Sequence, residues 1–119
     1  MSTAEFPGEL NSVGAARRFV REELAAESPA VIDAAALIVS ELVTNAVLHA
    51  TSHFDITVRT APSEVRLDVT DWGPGDPAMR SEEATALGGR GLRIVNELAR
   101  KWGWNREGPA KTVWAVIHR

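Results

Sequence analysis

Three short segments bring together residue types that can do chemistry, and they come in a fixed order: Glu41-Leu-Val-Thr-Asn45, Asp71-Trp-Gly73-Pro-Gly75 and Gly88-Gly89-Arg90-Gly91-Leu92. In the first, a carboxylate and an amide stand four residues apart and therefore share one helix face. The amide oxygen of Asn45 can take one position on a magnesium ion while water and phosphate oxygens fill the others, and Glu41 can accept a proton from an attacking hydroxyl. The second segment puts the Asp71 carboxylate at a strand end, where it can accept the exocyclic amine of adenine. Gly73 and Gly75 beside it let the backbone approach a flat base. The third opens a helix, where free backbone N–H groups and the helix dipole favour a phosphate. Arg90, set among its glycines, adds a charge that a simple hinge does not need. Together the three read as a nucleotide site.

Each segment also has an ordinary explanation. A polar stripe on a helix is usually just its solvated side, a strand-ending Asp-x-Gly turn is commonplace, and a glycine-rich stretch can be a joint. Asn45 weighs against the first explanation, because asparagine competes for the helix backbone and here interrupts a run of Leu, Val and Ala. His49 continues the face of Glu41 and Asn45. Near a helix end, its charge suits the dipole as well as a phosphate. Other patterns fail on context. Gly73-Pro-Gly75-Asp-Pro-Ala78 has dinucleotide-binding spacing, but Pro77 stands where that motif needs a helix. Lys111-Thr112 resembles the end of a P-loop, but the glycine spacing before it is wrong and a strand follows. His49 and His53 have a helical zinc spacing without the acidic neighbour of the zinc motif, and are expected to be free surface histidines. Trp72, Trp102, Trp104 and Trp114 are expected in core and rim packing.

The elements that must position these residues follow from apolar periodicity. Residues 2–7 read as a short edge strand ended by Pro7-Gly8. Val13, Ala16, Phe19, Val20 and Leu24 give an amphipathic helix from Ser12 to about Ala26. Ser28-Pro29 reads as a cap and first helical residue of a second helix running to about His49, with Ala35, Ile38, Val39, Leu42 and Ala46 as its core stripe. Two alternating strands follow, 54–60 and 65–71, joined by a turn at 61–64. Residues 72–89 lack any sustained period and are expected to act as a lid. A third helix is expected from Arg90 to about Lys101, then a hairpin of strands 102–106 and 111–118, in which Val113, Ala115 and Ile117 alternate against Trp114 and Val116.

Composition sets the outer limits. With 119 residues and 45% hydrophobic content, the chain reads as a single domain with one core. Its net charge of -3 argues against a nucleic-acid partner, which would need a clustered basic surface. The absence of cysteine excludes disulfides and thiolate chemistry and fits a reducing compartment. The first residues lack the pattern of a signal peptide, and no apolar run is expected to reach the about 20 residues of a membrane span. The expected location is the cytoplasm.

The segments ELVTNAVLHA, DWGPGDP and GGRGLRIV resemble the N, G1 and G2 boxes of the Bergerat-fold (GHKL) ATPases. Chain size, the opening FPGELNSVGAARRFVREEL and the closing AKTVWAVIHR make the chain similar to the small bacterial anti-sigma regulatory factors with serine/threonine kinase activity and to stand-alone ATP-binding proteins near them. The resemblance implies an α/β two-layer sandwich, a mixed β-sheet with helices on one face, in a single domain spanning 1–119. It implies ATP and Mg²⁺ as ligands, Asn45 on the metal, Glu41 as base, Asp71 on the adenine amine, and Gly73 and Gly75 lining the base. Gly89, Arg90, Gly91 and Leu92 would meet the phosphates, and Thr112 would lie near the adenine through a water. The implied partners are a sigma factor and an anti-anti-sigma protein, with a homodimer possible and no membrane involved. The lid, 76–87, is short and carries one basic residue, Arg80. A phosphoacceptor-histidine helix pair is lacking, against a two-component kinase. Two functions stand: a protein-serine kinase that also binds a sigma factor, or a non-catalytic ATP-binding module that controls a transcription factor by partner switching.

Overall fold

The computed structural model describes residues 1–49, 52–74 and 88–119, with backbone alone for residues 49 and 88–92. The expected lid at 76–87 and Gly75 lie outside the described residues. The elements follow the expected order: β1 (Ser2–Phe6), α1 (Ser12–Glu23), α2 (Pro29–His49), β2 (Phe54–Ala61), β3 (Glu64–Asp71), α3 (Gly88–Leu98), β4 (Lys101–Glu107) and β5 (Ala110–His118). The third helix starts earlier than expected, at Gly88, and takes in the glycine-rich segment. It also ends earlier, because the Arg100 N–H already donates to the Val116 carbonyl at 2.8 Å as the chain turns into β4.

Strand alternation builds one layer. Phe54, Ile56 and Val58 of β2, Val65, Leu67 and Val69 of β3, and Val113, Ala115 and Ile117 of β5 are buried on one sheet face. The helices cover that face. α2 lies at the centre, packed between α1 and α3 and resting on β3 and β5. Its expected stripe of Ala35, Ile38, Val39, Leu42 and Ala46 is buried, joined by Ala36 and Val43. Ser28 caps the helix, its Oγ accepting from the Val31 N–H at 3.3 Å, with Pro29 at the first helical position where its missing N–H costs nothing. Residues 29–48 are long and apolar enough, at mean hydropathy 1.8, to cross a membrane by length and composition. That overturns the expectation that no run reaches such a length. The composition has another cause here, since a helix flanked by two helices and a sheet is apolar around most of its circumference.

The two-layer arrangement is as expected, but every pairing among the described strands is antiparallel where a mixed sheet was expected, in the order β1-β2-β3-β5-β4. The connection through α3 does carry the chain from β3 to a strand running the same way, β4. β5 then inserts between them and pairs antiparallel with both. The β4–β5 hairpin turns at Gly108-Pro109, with Gly108 at φ 58°, a backbone conformation that glycine adopts without strain.

Candidate functional site

α2 and the C-terminal end of β3 meet over the sheet, and there the polar residues converge. Leu42 and Ala46 of the α2 stripe face the sheet, and Asn45 stands between them on the flank. Along β3, the inward set Val65, Leu67, Val69 continues two residues further to Asp71, which is therefore drawn into the core and is 2% exposed. A small pocket opens at this junction, lined by Leu42, Asn45 and Ala46 of α2, Val69 and Asp71 of β3, and Lys111 and Val113 of β5.

Two features define what the pocket can bind. The Oδ1 of Asn45 is buried and has no hydrogen-bond partner among the described residues. An unpartnered buried amide oxygen costs about 1–3 kcal/mol, so its retention between the apolar Leu42 and Ala46 is consistent with a ligand that completes it. The Asp71 carboxylate is fixed by its own turn, Oδ1 accepting from the Gly73 N–H at 2.9 Å. Gly73 is itself buried. Asp71 and Asn45 thus line one pocket, as expected from their segments.

Lys111, discarded in the sequence as part of a P-loop pattern, also lines the pocket. It faces Asp71 in the β3–β5 register, and its Nζ lies 3.5 Å from Asp71 Oδ1, with both side chains almost wholly buried at 5% and 2% exposure. Thr112, expected near the base, points the other way. It pairs with Thr70 on the sheet face away from the helices, the two hydroxyl oxygens 2.8 Å apart. The signal was in the strand's period of two, because a strand with Val113, Ala115 and Ile117 inward must also turn residue 111 inward and residue 112 outward.

Glu41 lies one turn before Asn45 on α2, partly buried, and outside the pocket lining. Gly89, Arg90, Gly91 and Leu92 form the first turn of α3, which packs against α2, so the free N–H groups of that turn belong to a helix beside the one carrying Asn45.

Past Asp71, the Trp72 N–H donates to Ser52 Oγ at 3.1 Å, and its ring stacks on His53 with centroids 4.6 Å apart. His53 is therefore not free. It also pairs with Glu5, Nε2 to Oε2 at 3.3 Å. None of the tryptophans is fully buried. Trp102 and Trp104 lean on the core, and Trp114 lies on the outer sheet face under the Arg66 guanidinium, 4.9 Å from the ring centroid.

The profile of a family described as histidine kinase-like ATPase domain matches residues 6–117. No curated protein matches the sequence. Among solved structures, the crystal structure of the RsbU and RsbW domains of Rv1364c from Mycobacterium tuberculosis is similar, with a TM-score of 0.70 at 21% identity over 100% of this chain. The chain spans 33% of that longer one, and at this identity the likeness is one of fold.

Proposed function

The chain belongs to the histidine kinase-like ATPase family, and on that premise we propose that it binds ATP with magnesium in the pocket between α2 and β3 and acts as an anti-sigma regulatory factor. In this reading it transfers phosphate to a serine of an anti-anti-sigma protein and holds a sigma factor by partner switching in the cytoplasm. The observation that carries the nucleotide part is the unpartnered, buried Asn45 Oδ1 in the same pocket as the turn-fixed Asp71 carboxylate. A hard cation with an open coordination position suits the first, and an exocyclic amine suits the second.

The roles follow from those chemistries. Asp71 accepts from the adenine amine, and the tight backbone at Gly73, with Gly75 after it, lets the ring lie close. Asn45 holds the magnesium, which when bound neutralises charge on the phosphate oxygens. The N-terminal turn of α3, with Gly89, Arg90, Gly91 and Leu92, receives the phosphates through its N–H groups. In the transfer, the serine oxygen forms a bond to the γ-phosphorus and the bond to the ADP oxygen breaks. The serine proton passes to Glu41.

The lid sequence 76–87, short and with Arg80 as its one basic residue, favours a second reading, the non-catalytic module. In both readings the adenine amine shares the Asp71 carboxylate with the Lys111 ammonium. Mixing the protein with labelled ATP and an anti-anti-sigma protein tests both. The kinase transfers label to serine, and Glu41→Ala lowers that rate by about 10²–10⁴-fold while calorimetric nucleotide affinity stays unchanged. Nucleotide binding without transfer selects the module, and transfer by Glu41→Ala at the wild-type rate removes Glu41 from the mechanism.

A further inference from the structure

On the sheet face turned away from the helices, Glu5 of β1 and Asp55 of β2 are direct cross-strand partners. Their neighbours in the same register, Phe6 with Phe54 and Ala4 with Ile56, point to the opposite side. Like charges directly opposite each other destabilise a strand pair, yet this pair stands at the junction where β1 meets the start of β2. His53, one residue before β2, leans over the same spot with its Nε2 3.3 Å from Glu5 Oε2. Its ring is held in place by stacking on Trp72. Asp55 Oδ1 is buried and has no hydrogen-bond partner among the described residues. One ligand atom from each of the three residues lies within 4.8 Å of the others.

We infer that Glu5, His53 and Asp55 form a binding site for a divalent cation of the zinc class, separate from the nucleotide pocket. An imidazole nitrogen with two carboxylate oxygens is a donor set for Zn²⁺ or Co²⁺, whereas Mg²⁺ and Ca²⁺ prefer oxygen alone. Two tetrahedral zinc ligands at bond lengths of about 2.0–2.1 Å stand about 3.3 Å apart, the spacing already present between His53 and Glu5. An Asp55 oxygen lies within 4.8 Å of both of those ligand atoms, and water completes the fourth position. Two carboxylates match the charge of the dication, which would relieve their mutual repulsion and give the orphaned Asp55 oxygen its partner. The site clamps the edge strand β1 to β2. Through the His53–Trp72 stack, it touches the residue that follows Asp71.

Calorimetric titration of the full chain with ZnCl₂ in nucleotide-free buffer tests this. One site is expected, undisturbed by millimolar Mg²⁺. His53→Gln and Glu5→Gln each weaken it at least tenfold, and His118→Gln leaves it intact. Both test residues are surface-exposed, and circular dichroism checks that the variants keep the fold. Cobalt(II) supplies a local readout, broadening the amide signals of residues 4–6 and 53–56 before those of α2. Absence of a zinc site in the wild type, equal affinity in the His53 and Glu5 variants, or broadening centred elsewhere would overturn the assignment.

Discussion

Asp71 and Lys111 form the pair on which the pocket turns. Two charges at 2% and 5% exposure gain little net stability from each other after desolvation. Asp71→Ala removes this charge together with the acceptor of the Gly73 N–H and is expected to destabilise the protein by about 3–5 kcal/mol, with Lys111→Met costing less in that background than in the wild type, as read by urea denaturation. A double variant whose loss is the sum of the two single losses would show that the pair is not coupled. Asp55 titrates in the opposite sense from most paired carboxylates. Burial, and then the charge of Glu5, raise its pKa above the ordinary 3.8, with His53 acting the other way. The folded state thus holds the proton more tightly than the unfolded chain. Stability falls as pH rises from the ordinary carboxylate value through the raised one and stays lower above it. Without added metal, Asp55→Asn should be more stable than the wild type at pH 7, with the advantage fading as pH drops below that window in matched denaturation curves. Residue identities drew attention to Asp71 and Asn45, which line one pocket, because each is a polar group in an apolar stretch of sequence. Lys111 was legible only through strand parity, and family resemblance drew attention to its neighbour Thr112.

At the scale of elements, periodicity located the three helices and five strands of the described residues, because each buries one coherent set of side chains. Their ends depended on tertiary partners. α3 takes in glycines that read as loop, and β4 begins at Lys101 because Trp102 must lie opposite Ala115. The β4–β5 hairpin carries a constraint of its own. A Cβ on Gly103 would sit 2.7 Å from Trp114 Cζ2, so the indole lies flat across the neighbouring strand only because residue 103 has no side chain. Gly103→Ala should push Trp114 out from under Arg66 and cost about 1–3 kcal/mol, seen as a lower melting temperature with a change in tryptophan fluorescence. An unchanged melting temperature would mean that the ring moves aside freely. No periodicity marks this close approach, since it involves one residue from each strand.

For the whole molecule, the governing fact is the sheet order β1-β2-β3-β5-β4. The mixed sheet implied by the family resemblance is not seen among the described strands, because β5 fills the space between β3 and β4, which run the same way, and pairs antiparallel with both. Removing residues 110–119 should abolish the cooperative thermal transition, because β5 supplies Val113, Ala115 and Ile117 to the core and is the partner of both β3 and β4. A cooperative melt of the remainder would show that β1–β3 and the helices are stable without it. The same topology orders events on the ribosome. Of the elements described, β5 is translated last, so a nascent chain that already carries Asn45 and Asp71 still lacks Lys111 and Val113 from one wall of the pocket. Until β5 docks, the β3 edge is bare and open to pairing with another strand. The complete wall of this pocket is accordingly a property of the finished domain, gained in one step when its middle is sewn shut.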